Sequence, residues 1–200
     1  MNVSRRSLFA ATGGLAACAL LAPIPSFADP AGLSPLLLRR ALAALQKHGA
    51  AIPNHDVIGI ADFSLASRTP RFHLLDVAGG RVSSHLVAHG RGSDPAHTGW
   101  LQRFSNEPSS HATSAGAYRT DGLYIGEHGR SIRLTGLDST NSNALSRAIV
   151  VHEAWYVSPE IAKTHGVLGR SEGCFALSNA SLPEVLTRLG SGHLIYADKV

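Results

Sequence analysis

The sequence predicts a mainly β, β-rich α+β domain with a few peripheral helices. Three observations predict it. Short apolar runs, several alternating apolar with polar, recur from Asp56 to Ala197 between glycine-bearing turns. Only three segments carry helix start and stop signals. The chain has 200 residues, 44% hydrophobic and 16% charged, which is apolar and long enough for one packed core without disulfide staples.

The elements follow in order. Ser34 to Gly49 is a helix, capped by Ser34, with Pro35 in its first turn, Gly49 at its end, and Leu38, Ala41, Leu42 and Leu45 as its apolar stripe. Asp56 to Phe63 is a strand. Arg71 to Val77 and Val82 to His89 flank Gly79-Gly80, and Gly122 to Glu127 and Arg130 to Leu137 flank His128-Gly129, giving two hairpins. Ala148 to His152 is a short apolar strand ending in a histidine, and Cys174 to Leu177 and His193 to Ala197 are further strands. Short helices are expected from Ser158-Pro159 to Gly166 and from the capping box Ser181-x-x-Glu184 to Gly190. Residues 90–115 are polar, rich in Ser and Gly, and too long for a passive turn, so they read as a loop over a site.

Residues 1–28 read as a twin-arginine-like signal peptide, leaving 29–200 as a single domain. Arg5 and Arg6 form a basic start, Leu8 to Leu21 is mildly apolar, and Ser26-Phe27-Ala28 has the small-x-small form of a cleavage site. An ordinary secretory signal is the plainer reading of the same residues. Leu15-Ala16-Ala17-Cys18 also resembles a lipobox, so Cys18 is an alternative point of processing, as a lipid anchor. Apolar sequence running on to Ala22 favours cleavage after Ala28. Gly and Pro interrupt the run short of the ~18 apolar residues of a membrane span, so no transmembrane span is expected in the mature protein. Taking Arg5 and Arg6 from 18 basic residues against 14 acidic leaves a net charge of +2. With no Lys/Arg run in the remainder, nothing argues for a nucleic-acid partner.

Either processing route takes Cys18 out of play and leaves one unpaired thiol, Cys174, in an exported protein. Oxidising compartments pair or eliminate thiols, so an unpaired one flags chemistry; a small buried hydrophobe is the bland alternative. The context is Gly169-Arg170-Ser171-Glu172-Gly173-Cys174-Phe175-Ala176-Leu177. A cysteine nucleophile needs a base or cation to favour the thiolate, donors for a developing oxyanion, and room for the substrate. Gly173 gives room, and the N–H groups of Gly173 and Cys174 are natural donors. Among 11 histidines, His152 is the candidate base, because its strand holds its backbone. The 22-residue spacing permits two adjacent strand ends joined by the 158–166 helix.

Other histidines carry less. His85 and His89 are four apart, which on a strand is about 13 Å, too far for one metal ion. His152-Glu153 lacks the second histidine of His-Glu-x-x-His, since Tyr156 stands there. No metal and no cofactor is called for. His111 and His128 fall in loop and turn positions.

Ser171-x-Gly173-Cys174 after a strand-end His152 resembles the signature of YkuD-type L,D-transpeptidases, and most closely the murein L,D-transpeptidase catalytic domain branch. The resemblance spans roughly Val57 to Leu177. It includes Ile60-Ala61-Asp62-Phe63-Ser64, Val87-Ala88-His89-Gly90, Phe104-Ser105-Asn106, Gly126 to Leu134, Ala148 to His152, and Gly169-Arg170-Ser171-x-Gly173-Cys174. It implies a β-sandwich-like catalytic domain acting on peptidoglycan stem peptides in the periplasm or cell envelope. Cys174 would attack the bond between diaminopimelate and the terminal D-alanine. D-Alanine would leave, a thioester would form, and an amine of a second stem peptide would resolve it. His152 would be the general base, oriented by a backbone carbonyl, and Ser171 would support the turn or a site hydrogen bond. Resolution by water would make the same site an L,D-carboxypeptidase, and a wall-binding module with an impaired site is the non-enzymatic alternative. The chain departs from the better-known branch in carrying Glu172 for His, Ala176 for Arg and Glu153 for Gly. Arg170 or Arg133 would then take the substrate carboxylate, because Arg suits bidentate binding. His128, inside a matched motif, is a further substrate-side candidate.

Overall fold

The computed structural model describes residues 32–200; the leader, with Arg5, Arg6 and Cys18, lies outside them. After helix α1 (Pro35–His48) come β1 (Val57–Asp62), β2 (Phe72–Asp76), β3 (Val82–His85), β4 (Val87–Ala88), β5 (Gly116–Gly126), β6 (Gly129–Gly136) and β7 (Val150–Glu153). The chain ends with α2 (Pro159–His165), β8 (Phe175–Leu177), α3 (Leu182–Arg188) and β9 (Leu194–Asp198). This is the strand-rich α+β architecture the alternation predicts.

The strands form one hydrogen-bonded sheet in the order β3-β2-β1-β9-β5-β6-β7-β8-β4. Its two edges, β3 and β4, are separated in the chain by Leu86 alone. The sheet must therefore curl until its ends meet, and it does so around a shared core. Phe63 and Phe72 from one end, Val87 and Phe175 from the other, and Tyr118, Ile132 and Val151 between them lie in one buried cluster. The Phe63 and Phe175 rings are 6.1 Å apart, and Tyr118 meets Phe175 edge-on at 5.4 Å. Two layers of one sheet facing a common core make the sandwich-like form. A second cluster seals the outside of β1 and β9, where Leu37, Leu38, Ala41 and Leu45 of α1 cover Ile58, Ile60 and Leu194. Ser34 caps that helix as expected, its Oγ accepting from the Leu37 N–H at 3.4 Å.

Three elements differ from expectation. The run Val82 to His89 is broken at Leu86 into β3 and β4, because its halves pair with β2 and β8 at opposite sheet edges. β5 begins at Gly116, not Gly122, since Gly116 to Arg119 pair with β9, and a bulge between Thr120 and Gly122 absorbs the mismatch with β6. The Ser181 capping box does not form: the Ser181 hydroxyl accepts from Ser178 Oγ at 2.9 Å, and Glu184 accepts from Ser83 Oγ at 2.9 Å.

The site is positioned by β7 and β8, which are parallel neighbours with His152 paired to Ala176. The connection between them carries α2, capped by Ser158 and closed by Gly166 at φ +72°. Side chains alternate along a strand. Ile132, Val151, Phe175 and Leu177 therefore point into the core, while Arg133, Val150, His152, Cys174 and Ala176 share the other face. No helix among the described residues is long and apolar enough to cross a membrane.

Candidate active site

The turn that delivers Cys174 is held by Ser171. The Ser171 hydroxyl donates to the Cys174 carbonyl at 2.7 Å and accepts from the Gly173 N–H at 3.2 Å. The backbone of Ser171 is bridged to Gly90 in parallel, its N–H donating to His89 O at 3.0 Å and its carbonyl accepting from the Arg91 N–H at 2.7 Å. Of the two N–H groups expected to stabilise an oxyanion, that of Gly173 is thus spent on the turn itself, which leaves the Cys174 N–H. Gly173 sits at φ +121°, where a side chain is strained. A Cβ there would lie 2.8 Å from both Ala112 O and Ile149 Cδ1.

Gly90 is equally constrained. A Cβ at that position would meet the His111 carbonyl and stand 2.7 Å from Gly173 Cα. Gly90→Ala should push the turn out of register, costing about 1–3 kcal/mol of stability as overpacking does. A thermal melt with β-lactam acylation of Cys174 measures both effects; an unshifted melt with unchanged acylation would show that the turn tolerates the methyl.

Cys174 is half-buried. Its Sγ–H donates to Ala148 O at 3.5 Å, and the Val150 N–H faces the sulfur. Burial pushes the thiol above its ordinary value; the Val150 N–H and the Arg147 guanidinium pull the other way. On balance burial favours the neutral thiol over the thiolate.

His152 lies one strand over, on the same face. From the register, its Cα is displaced from that of Cys174 by about 4.8 Å across the strands and about 6.6 Å along them. His152 Nδ1 is 2.7 Å from the Glu153 carbonyl. A carbonyl only accepts, so Nδ1 carries the proton and Nε2 holds the lone pair of a base. Burial pushes His152 below the ordinary histidine value, the Glu153 carbonyl opposes this, and His128 adds to it. The His128 ring stacks on that of His152 at 4.4 Å.

The charges around the pair are divided. On the Cys174 side, the Arg147 guanidinium donates to Ser105 O and Ser114 Oγ at 2.8 and 2.7 Å, to Ser110 Oγ at 3.1 Å and to Ala112 O. All four acceptors are neutral, and Glu107 is the carboxylate near enough to act on the cation. Arg133 faces the same side, its guanidinium 4.0 Å above the Tyr124 ring. Glu172 is clasped by Arg91 Nε at 2.7 Å and by His111. Beside His152, a cavity of about 400 Å³ is lined by Glu127, His128, Glu153, Trp155, Tyr156 and Asn179 among others.

The structure thus holds Cys174, Ser171 and Gly173 in one turn, and places His152, stacked on His128, one strand over on the same sheet face as Arg133. Arg170 turns away from it, its Nη1 donating to Asp94 O and, at 3.2 Å, to Pro95 O. His85 and His89 go separate ways: His85 Nε2 is 3.8 Å from Glu184, and His89 Nδ1 accepts from the fully buried Arg71 at 2.7 Å. Sequence reasoning missed Arg147, Trp155 and Tyr156. Trp155 and Tyr156 directly follow the His152-Glu153-Ala154 segment, and an aromatic pair beside a candidate base was the available signal. Arg147 left none, because only the fold brings the loop 105–114 beneath it.

Comparison with known proteins adds the following. No curated protein sequence matches this chain significantly. Among solved structures, an L,D-transpeptidase from Mycobacterium smegmatis is 16% identical at a TM-score of 0.44, covering 72% of this chain and 58% of that one. L,D-transpeptidase 3 from Mycobacterium tuberculosis, with a faropenem-derived adduct, is 15% identical at 0.44, covering 72% and 60%. An L,D-transpeptidase from Xylanimonas cellulosilytica is 17% identical at 0.40, covering 78% and 68%. This chain spans about three fifths of the length of the mycobacterial structures it matches. The sequence profile of the L,D-transpeptidase catalytic domain of the YkuD_2 type matches residues 30–197, nearly the whole described chain, and the protein belongs to that family.

Proposed function

We propose that this protein is an L,D-transpeptidase of the cell envelope that acts on peptidoglycan stem peptides through a thioester on Cys174. The observation that supports the proposal is the placement of a partly open thiol and an imidazole on neighbouring strands of one sheet face, the imidazole fixed by Glu153 O in the tautomer of a base. His152 Nε2 takes the thiol proton as the sulfur attacks the carbonyl of the diaminopimelate–D-alanine bond. The Cys174 N–H lies at the attacking residue, where an oxyanion donor is needed. His152 then protonates the leaving D-alanine amine, and an acceptor amine or water opens the thioester. With Arg170 turned away, Arg133 is the cation placed to take a substrate carboxylate. No cofactor or metal enters these steps. Export by the twin-arginine-like leader would bring the folded domain to its polymer.

Incubation with a disaccharide tetrapeptide is expected to release D-alanine and yield a cross-linked dimer, read by mass. A tripeptide without dimer means that water resolves the thioester and the enzyme is an L,D-carboxypeptidase. No D-alanine from folded protein would overturn the proposal.

A further inference from the structure

We propose that the cavity beside His152 is a site for the primary ammonium group of the acyl acceptor, held by Glu127 and Glu153 with Trp155 as its aromatic wall. This rests on the acyl-transfer reading above. It adds which side of the site the acceptor occupies and which residues recognise it.

Several independent features converge there. Neither Glu127 nor Glu153 has an ion-pair partner among the described residues, although most other carboxylates near the site are engaged. Two unneutralised carboxylates around one cavity attract a cation. Trp155 is 79% exposed yet lines the same cavity, edge-on to Tyr156 at 5.8 Å. An indole face left in water at a pocket mouth suits an organic cation, through ring electrostatics and the ligand's alkyl stem. His152 is only 3% exposed, lines the cavity, and its Nε2 has no hydrogen-bond partner among the described residues. Its free nitrogen belongs to a side chain that borders the cavity, so a proton acceptor is at hand where an ammonium would lose a proton. A metal ion fits less well. No group of three His, Cys, Asp or Glu side chains among the described residues is arranged to hold one, and an indole offers a hard cation nothing.

The free charges near the pair are unevenly placed, with Glu172 on the Cys174 side already held by Arg91 and His111. Arg133 and Arg147 stand on the Cys174 side, and Glu127 and Glu153 line the cavity. These arginines suit the carboxylate of a donor, and the free carboxylates of the cavity suit an ammonium-bearing acceptor. The bond changes balance. The bound ammonium gives one proton to solvent, and the neutral amine attacks the thioester carbonyl. The C–N bond forms, the second proton passes to His152 Nε2, and the C–S bond breaks with its electron pair on sulfur. His152 then returns the proton to the thiolate. Glu153, where the better-known branch has Gly, thereby becomes an acceptor-binding group.

The test is a binding titration with non-reacting Cys174→Ala protein, in a Trp100→Phe background so that fluorescence reports Trp155. The probes are an N-terminally blocked L-Ala-γ-D-Glu-diaminopimelate tripeptide with a free side-chain amine, and its side-chain N-acetyl form. The free amine is expected to bind roughly tenfold tighter. The Glu127→Gln/Glu153→Gln pair is expected to bring that ratio near one. Because the readout is a ratio of two ligands on one protein, partial unfolding scales both alike. Should the double variant fail to fold, each single variant is expected to lose about threefold of the ratio. Equal affinity for the two probes, or a ratio untouched by the Gln variants, overturns the site. Amine-selective binding in a protein that releases no D-alanine keeps the site and removes the transpeptidase reading. D-Alanine release without amine selectivity does the reverse.

Discussion

Cys174→Ala is expected to remove D-alanine release and β-lactam acylation completely, leaving the thermal melt nearly unchanged. The position is half-buried immediately before β8, and losing one sulfur costs the core little. No neighbour can take over the attack. The Ser171 hydroxyl is the nearest alternative, but it donates to the Cys174 carbonyl and accepts from the Gly173 N–H. Its proton and lone pair serve the turn. The same environment fixes how the sulfur titrates. Burial outweighs the Val150 N–H and the Arg147 cation, so the thiol sits above its ordinary value. Alkylation by iodoacetamide requires thiolate, so its rate should climb with pH through a midpoint above the ordinary cysteine value of about 8.5. A midpoint below 7 would mean that the resting enzyme is a thiolate–imidazolium pair, contrary to this burial. Residual acylation of the Cys174→Ala protein, located by mass, would name a different nucleophile.

What could be read in the sequence was whatever local patterning controls. The α1 stripe, its Ser34 cap and the Gly79-Gly80 turn follow from spacing and turn chemistry, while the spacing from His152 to Cys174 permitted adjacent strand ends and the fold made them parallel. The break at Leu86 was hidden, because Val82 to His89 carries no turn residue and only the curl of the sheet sends its halves to opposite edges. The same limit applies at the site. The catalytic candidates sit on consecutive strand ends and were visible. The Ala148 carbonyl, the Val150 N–H and the Arg147 guanidinium reach the sulfur only after loop 105–114 and β7 have packed. The oxyanion donors were half legible. Gly173 was placed for room, but its N–H is consumed by Ser171, a geometric fact with no signature in residue type. The orienting carbonyl of His152 turned out to be its own neighbour, Glu153. Any residue there would supply a carbonyl, so the identity of Glu153 signals nothing about that bond and points instead to its side chain.

His152→Gln is expected to slow Cys174 acylation by about 10²–10⁴-fold at pH 7, the usual worth of a positioned base. Glutamine approximates the size of the ring, so the packing against His128 is largely kept while the base is lost. The pH profile separates a base from a spacer. The base must be neutral to accept a proton, so activity falls as pH drops through its pKa. Burial and His128 hold that pKa below the ordinary value near 6.5. The wild-type acid limb should accordingly lie below pH 6.5, with activity held between pH 7 and 6.5. In His152→Gln that limb should vanish. Its remaining rate should rise with pH as Cys174 ionises unaided, so the penalty shrinks above the ordinary cysteine range. A penalty constant from pH 6 to 9.5 would show that His152 only shapes the site. His128→Ala offers the matching control: removing the neighbour that helps lower His152 should move the acid limb up in pH, and an unmoved limb would show that burial alone sets it.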